Sequence, residues 1–204
     1  CAGGDLAAFN EAEPLGDFVY DMAIDFHVFL DYFDYFDRIN APTIAAVEGN
    51  VGGAGVSMVA AFDLGIVAEN ATFTLGYPAV GLTPDGSSSF YLSRAVGLKR
   101  ALDFALTNET IDAQKALDWG LATRLAPAGE TLDHAMELAR SVAGRDTVVL
   151  GETKRLIKDG TTRSLSEAMA EETDRVAAMA ARPEARNYIS EFAERQRERR
   201  ATRS

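Results

Sequence analysis

The most constraining part of this 204-residue chain is the stretch from Pro42 to Ala68. Pro42 sets a strand start, and residues 43–47 run without polar alternation, the pattern of a strand buried on both faces. Gly49, Gly52, Gly53 and Gly55 come next, followed by an apolar, helix-compatible run over 56–62 and a second buried strand over 64–68. Strand, glycine-rich turn, helix and strand form a β-α-β unit, which commits the chain to an α/β fold. An earlier turn holds Gly3 and Gly4. Neither turn binds phosphate by pattern: no Lys-Ser/Thr follows the glycines as a P-loop requires, and the spacing is not that of a dinucleotide fingerprint. The physical use left is to present backbone N–H groups, with a helix dipole behind them, to an oxygen that becomes negative. Simple turn geometry also accounts for such glycines, and the local pattern leaves both uses open.

A mass of 21.9 kDa allows one core plus a small appended module. With 47% hydrophobic and 25% charged residues, disorder and a fibrous architecture are both excluded. Against 20 basic residues stand 31 acidic ones, a net charge of −11. Such a surface is a poor match for a nucleic-acid backbone or an anionic membrane, and no apolar run is long enough for a membrane span. The one cysteine, Cys1, cannot form an internal disulfide and fits a reducing compartment, so the expected location is cytoplasmic. His27 and His134 have no partner at ligand spacing, and no metal site is expected.

Residues 1–16 read as loop. Over 17–39, Met22, Phe26, Phe29, Phe33 and Phe36 fall on one helical stripe, read as core packing that can also roof an apolar pocket. Residues 71–84 read as short strand and loop, and 87–96 as a helix with serines as candidate caps. Helices are also read at 112–120, 131–143 and 148–158, with a brief extended piece at 123–125. Ser164 and Glu167 have capping-box spacing before a helix to about 181, and Pro183 opens a last, arginine-rich helix. Strands cease after residue 143, dividing a mixed α/β body (1–143) from a helical segment (144–204). Asp63 is expected to satisfy backbone donors at the end of the helix before it, and Glu48 is a second-carboxylate candidate. Asp85, in Pro84-Asp85-Gly86-Ser87, suits either a helix cap or an acid/base role.

Several segments, in order, resemble the crotonase family, the enoyl-CoA hydratase/isomerase superfamily. They are Cys-Ala-Gly-Gly-Asp-Leu at 1–6, Ala-Pro-Thr-Ile-Ala-Ala-Val-Glu-Gly-Asn-Val-Gly-Gly-Ala-Gly at 41–55 and Phe-Asp-Leu-Gly-Ile-Val-Ala-Glu-Asn-Ala-Thr-Phe at 62–73. Gly-Leu-Thr-Pro-Asp-Gly-Ser-Ser at 81–88 and Ala-Leu-Thr-Asn-Glu-Thr-Ile-Asp-Ala-Gln-Lys-Ala-Leu-Asp-Trp-Gly-Leu at 105–121 continue the match. The resemblance implies a spiral of ββα units with two roughly perpendicular sheets, then a helical segment that packs against other subunits of a trimer or hexamer. It also implies an acyl-CoA thioester as partner, with no separate cofactor because coenzyme A is part of the substrate. Family members carry several dozen residues before the first turn, so the opening strands of the spiral are expected to lie ahead of Cys1.

Carried over by position, the thioester oxygen is held by the N–H groups of Gly4 and Ala54. Ala2, Gly3, Asp5 and Leu6 belong to the coenzyme A site, and Gly53, Tyr77 and Leu82 are further substrate-binding positions, with the Tyr77 ring as an apolar wall for Asp85. Hydratase members use two glutamates, and here those positions hold Ser57 and Tyr77. Asp85 occupies the place of the acid/base aspartate of isomerase members. That favours double-bond isomerisation, with an unusual hydratase or a non-catalytic acyl-CoA-binding member as alternatives. Dehalogenase members pair such an aspartate with a histidine on the preceding helix, where this chain has Asp34.

Overall fold

The computed structural model describes residues 1–201, apart from the side chains of residues 29–38. Two compact units divide it, Cys1–Arg145 and Asp146–Ser204.

The first unit opens with a correction to the loop reading. Asp5 accepts from Ala7 N (2.9 Å) and Ala8 N and so caps a short helix, α1 (Leu6–Glu11). The aromatic helix follows as α2 (Leu15–Arg38), with Phe18 edge-on to Phe9 of α1. Three strand-pair or strand-helix passages come next. The first is β1 (Ile44–Val47), β2 (Asn50–Gly52) and α3 (Ala54–Ala61). The second is β3 (Leu64–Ala68), β4 (Thr72–Thr74), a 3-10 turn (Tyr77–Val80), α4 (Ser88–Val96) and α5 (Leu98–Thr107). The third is β5 (Ile111–Asp112), α6 (Ala113–Trp119), β6 (Arg124–Ala126) and α7 (Thr131–Ala143). One parallel sheet has the order β1-β3-β6. The other has the order β2-β4-β5, with β2 parallel and β5 antiparallel to β4. The chain twice leaves a strand of the first sheet for a strand of the second, then enters a helix. That repeat is the ββα path of a crotonase spiral.

The register Ile44↔Leu64 to Val47↔Val67 joins the two strands read from the sequence, and Val51↔Phe73 joins the shorter pair. Val47, Val51, Val56, Val67, Phe73, Leu75, Phe104 and Ile111 fill the main core. Phe73 and Phe104 are wholly buried, each worth about 1.5–3 kcal/mol by transfer from water. Phe104 lies on α5, a helix outside the sequence reading. Gly97, at φ +84, breaks α4 from α5 and lets the chain turn between them.

Two carboxylates pin the strands of the first sheet. Asp63 accepts from Thr43 N (2.7 Å) and Thr43 Oγ1 (2.9 Å), so it clasps the start of β1 and not the helix before it. Glu48, at the corner between β1 and β2, accepts from Gly129 N, from Thr131 N and from the buried Thr131 Oγ1 (2.6 Å). Those donors, the Thr131 hydroxyl first, hold the Glu48 carboxyl below its usual range. An anion at the start of α7 therefore replaces the catalytic role considered for Glu48. Because the folded form is the more acidic, its stabilisation is complete above the ordinary carboxylate range and fades as pH falls through the lowered value. Glu48→Gln is expected to lower the thermal midpoint at pH 7, and the gap from wild type should narrow toward pH 3 in circular-dichroism melts.

The second unit holds α8 (Thr147–Gly160), α9 (Leu165–Ala180) and α10 (Pro183–Ala201). Asp146 caps α8 and pairs with Arg182 at 2.8 Å, while Ser164 and Glu167 form the capping box of α9. Glu152 of α8 receives Arg175 of α9 at 2.8 Å. Among the described residues no helix is long and apolar enough to cross a membrane.

Candidate active site

Glycine brings two backbone turns together at the N-terminus of α3. Gly52 N donates to Cys1 O at 2.8 Å, and a Cβ on Gly52 would stand 2.7 Å from Ala2 O. A Cβ on Gly3 would stand 3.2 Å from Gly52 O, and one on Gly53 would stand 3.5 Å from Gly3 Cα. A side chain at Gly52 would force the turns apart, and one at Gly3 would press on the facing backbone. Gly3 (φ +88) and Gly53 (φ +53) both have positive φ, and each immediately precedes a residue assigned to hold the thioester oxygen, Gly4 and Ala54. Among the described residues no protein acceptor takes the N–H of Gly4 or of Ala54. No side chain caps α3, and its first turn has no acidic residue, so the positive end of its dipole is not neutralised from within.

Asp85 reaches the same place by a separate path. Gly86, at φ +59, packs so closely that a Cβ there would stand 3.1 Å from Ala54 Cβ and 2.7 Å from the Phe26 ring. Its neighbour Asp85 is thereby held beside the start of α3, under α2. Of the aromatic stripe, Phe26 packs on Gly86, whereas the side chains of Phe29, Phe33 and Phe36 lie outside the described residues. The Asp85 carboxylate does not cap α4: Ser87 holds the cap position at φ +63 without a side-chain bond, and only the Asp85 carbonyl accepts, from Ser88 N at 3.0 Å. The serines read as caps make no such bond. Instead Ser88 is buried and hydrogen-bonds the buried Ser57 of α3.

Tyr77 ties these groups together. Its hydroxyl donates to Asp85 Oδ1 at 2.5 Å, and a Cβ on Gly53 would stand 3.9 Å from that hydroxyl. Its ring belongs to the main core, so the residue read as part of an apolar wall acts through its hydroxyl as well. Burial, then the Asp85 carboxylate, push the phenol well above its ordinary value, and Tyr77 remains a neutral donor.

Gly3, Gly4, Gly53, Ala54, Tyr77 and Asp85 thus converge. Ala2 contributes backbone to the contact between the turns, the Asp5 side chain is committed to capping α1, and Leu6 is exposed. Leu82 packs against the main core, with its N–H on Tyr77 O at 3.0 Å. The side chain of Asp34 lies outside the described residues. Among the described residues no three His, Cys, Asp or Glu side chains come together as metal ligands would. Sequence reasoning missed Ser57 and Ser88 as partners, and only the buried setting of both hydroxyls identifies them.

A family model described as enoyl-CoA hydratase/isomerase matches residues 1–200. The chain belongs to the enoyl-CoA hydratase/isomerase family. 4-Chlorobenzoyl coenzyme A dehalogenase-1 of Arthrobacter sp is 34% identical over 155 residues, covering 76% of this chain and 56% of the dehalogenase. 1,2-Epoxyphenylacetyl-CoA isomerase of Escherichia coli (strain K12) is 28% identical over 175 residues, covering 85% of this chain and 66% of the isomerase. The crystal structure of an enoyl-CoA hydratase from Polaromonas sp. JS666 superimposes with a TM-score of 0.83 at 32% identity, covering 96% of this chain and 75% of that one. The chain therefore spans little more than half the length of the dehalogenase. Within the enoyl-CoA hydratase/isomerase family, this member carries hydroxyls at 57 and 77 and its carboxylate at 85.

Proposed function

We propose that this site binds an acyl-CoA thioester and moves one proton with one carboxylate, so that its reaction is enoyl-CoA double-bond isomerisation. The observation that carries the reading is the Tyr77–Asp85 pair. At the two positions where the resemblance puts hydratase glutamates stand a buried serine and a buried tyrosine, both neutral, and the tyrosine serves the one carboxylate beside the turns. Two carboxylates are needed to position water and supply its proton, and a single one suffices for isomerisation.

The step balances. Asp85 takes a proton from the carbon beside the thioester of a 3-enoyl ester, the C–H pair becomes the new C=C bond, and the carbonyl oxygen takes the negative charge. The N–H groups of Gly4 and Ala54 hold that oxygen. Asp85 then returns the proton two carbons further along, giving the 2-enoyl ester and restoring the carboxylate. No separate cofactor enters, since coenzyme A belongs to the substrate. Leu165, Met169 and Val176 are exposed on α9, an apolar face suited to association of copies into a trimer or hexamer.

Ultraviolet absorbance tests this directly. The wild type should leave crotonyl-CoA absorbance constant and raise that of a 3-enoyl-CoA as the double bond enters conjugation. Loss of crotonyl-CoA absorbance would instead mean hydration and overturn the reading. The relative that is a dehalogenase raises a second use for Asp85, as a nucleophile toward an aromatic carbon. The residue carried over as its partner is Asp34, not histidine, which counts against it.

A further inference from the structure

We infer that Tyr77 is a positioning residue that fixes which Asp85 oxygen works on the substrate: Oδ1 is the anchored atom and Oδ2 the working one. The inference rests on the reading of Asp85 as the acid/base group. Asp85 lies in a loop and is only partly buried, so without a tether its carboxylate could rotate about both side-chain torsions. One bond to the backbone and one to the carboxylate place it, and the second removes that freedom. The carbonyl is held by Ser88 N at 3.0 Å and Oδ1 by the Tyr77 hydroxyl at 2.5 Å. Among the described residues Oδ2 receives no hydrogen bond from the protein.

The tether is itself anchored. Tyr77 opens a 3-10 turn bounded by two left-handed glycines, Gly76 (φ +79) and Gly81 (φ +71), and its ring sits in the main core at 9% exposure. The Gly76 N–H donates to Asn108 Oδ1 at 2.8 Å, which fixes the start of that turn. Buried hydroxyls need partners, and that of Tyr77 finds its partner in the carboxylate. A phenol suits the place better than a second carboxylate would, because it donates to Asp85 without repelling it.

The test uses the full chain and the rate at which a saturated acyl-CoA takes deuterium at its α-carbon from deuterated water. Tyr77→Phe removes only the hydroxyl. It should cut the saturated rate by about 10²-fold with KM unchanged, since misplacing a catalytic group by about 1 Å costs that much. Tyr77→Phe exchanging at the wild-type rate, whatever its thermal midpoint, would overturn the inference and leave the Asp85 reading standing. Should Tyr77→Phe fail to fold, an undiminished rate in Tyr77→Met, which also lacks the hydroxyl, overturns it equally. A wild type that exchanges no α-proton would sink the Asp85 reading itself, and the inference with it.

Discussion

Asp85→Asn is expected to abolish double-bond migration while acyl-CoA binding survives. Asparagine has the shape of aspartate, and its side-chain oxygen can still accept from the Tyr77 hydroxyl, which now donates to Oδ1 at 2.5 Å. Nothing in the two glycine turns depends on the Asp85 charge, since they meet through backbone contacts of Gly3, Gly52 and Gly53. What disappears is the carboxylate assigned to take a proton from carbon. General acid/base catalysis contributes about 10²–10⁴-fold, and loss of a sole base belongs at the upper end, equivalent to about 5 kcal/mol of barrier. Stopped assays on a 3-enoyl-CoA, with calorimetric titration of a saturated acyl-CoA, separate rate from binding. Migration at the wild-type rate would show that Asp85 does not carry the proton.

Ala54→Pro should produce a loss of similar kind from the opposite side of the reaction. Ala54 is the first residue of α3, where proline is tolerated because the missing N–H has no intrahelical acceptor. Gly53 before it has ψ −127, outside the helical region that a following proline disfavours. The substitution therefore deletes one donor while keeping the helix. Removing one oxyanion donor costs about 10²–10³ in kcat, because the bond strengthens as charge develops on the thioester oxygen. KM should change little, and far-ultraviolet circular dichroism should be preserved. A folded Ala54→Pro protein with unchanged kcat would mean that the thioester oxygen lies elsewhere.

How much of this was legible in the sequence depended on the range of each interaction. Local chemistry was readable: Asp112 accepts from Lys115 N at the start of α6 and Gly120 ends it in the left-handed region, as read, and the Ser164–Glu167 capping box is present. The strands β1 and β3 were legible from their unbroken apolar runs, although of the two only β3 is largely buried, Ala46 of β1 being exposed, whereas β2 has three residues and β5 two, too few to show a period. The helix α1 was hidden in a stretch where Gly3, Gly4 and Pro14 read as loop, although Asp5 was a cap signal. In the site, the order of motifs pointed to Gly4, Ala54 and Asp85. The bond between Ser57 and Ser88, separated by 31 positions, follows only from the packing of α3 against α4 and carries no sequence pattern.

The central claim is that one carboxylate, facing two backbone N–H groups, moves a proton within a bound acyl-CoA. Nuclear magnetic resonance of a 3-enoyl-CoA with the wild-type protein in deuterated water tests it most directly. The expected product is the 2-enoyl ester, with no hydroxyacyl ester. A 3-hydroxyacyl-CoA, or a substrate that remains unchanged and undeuterated, would contradict it.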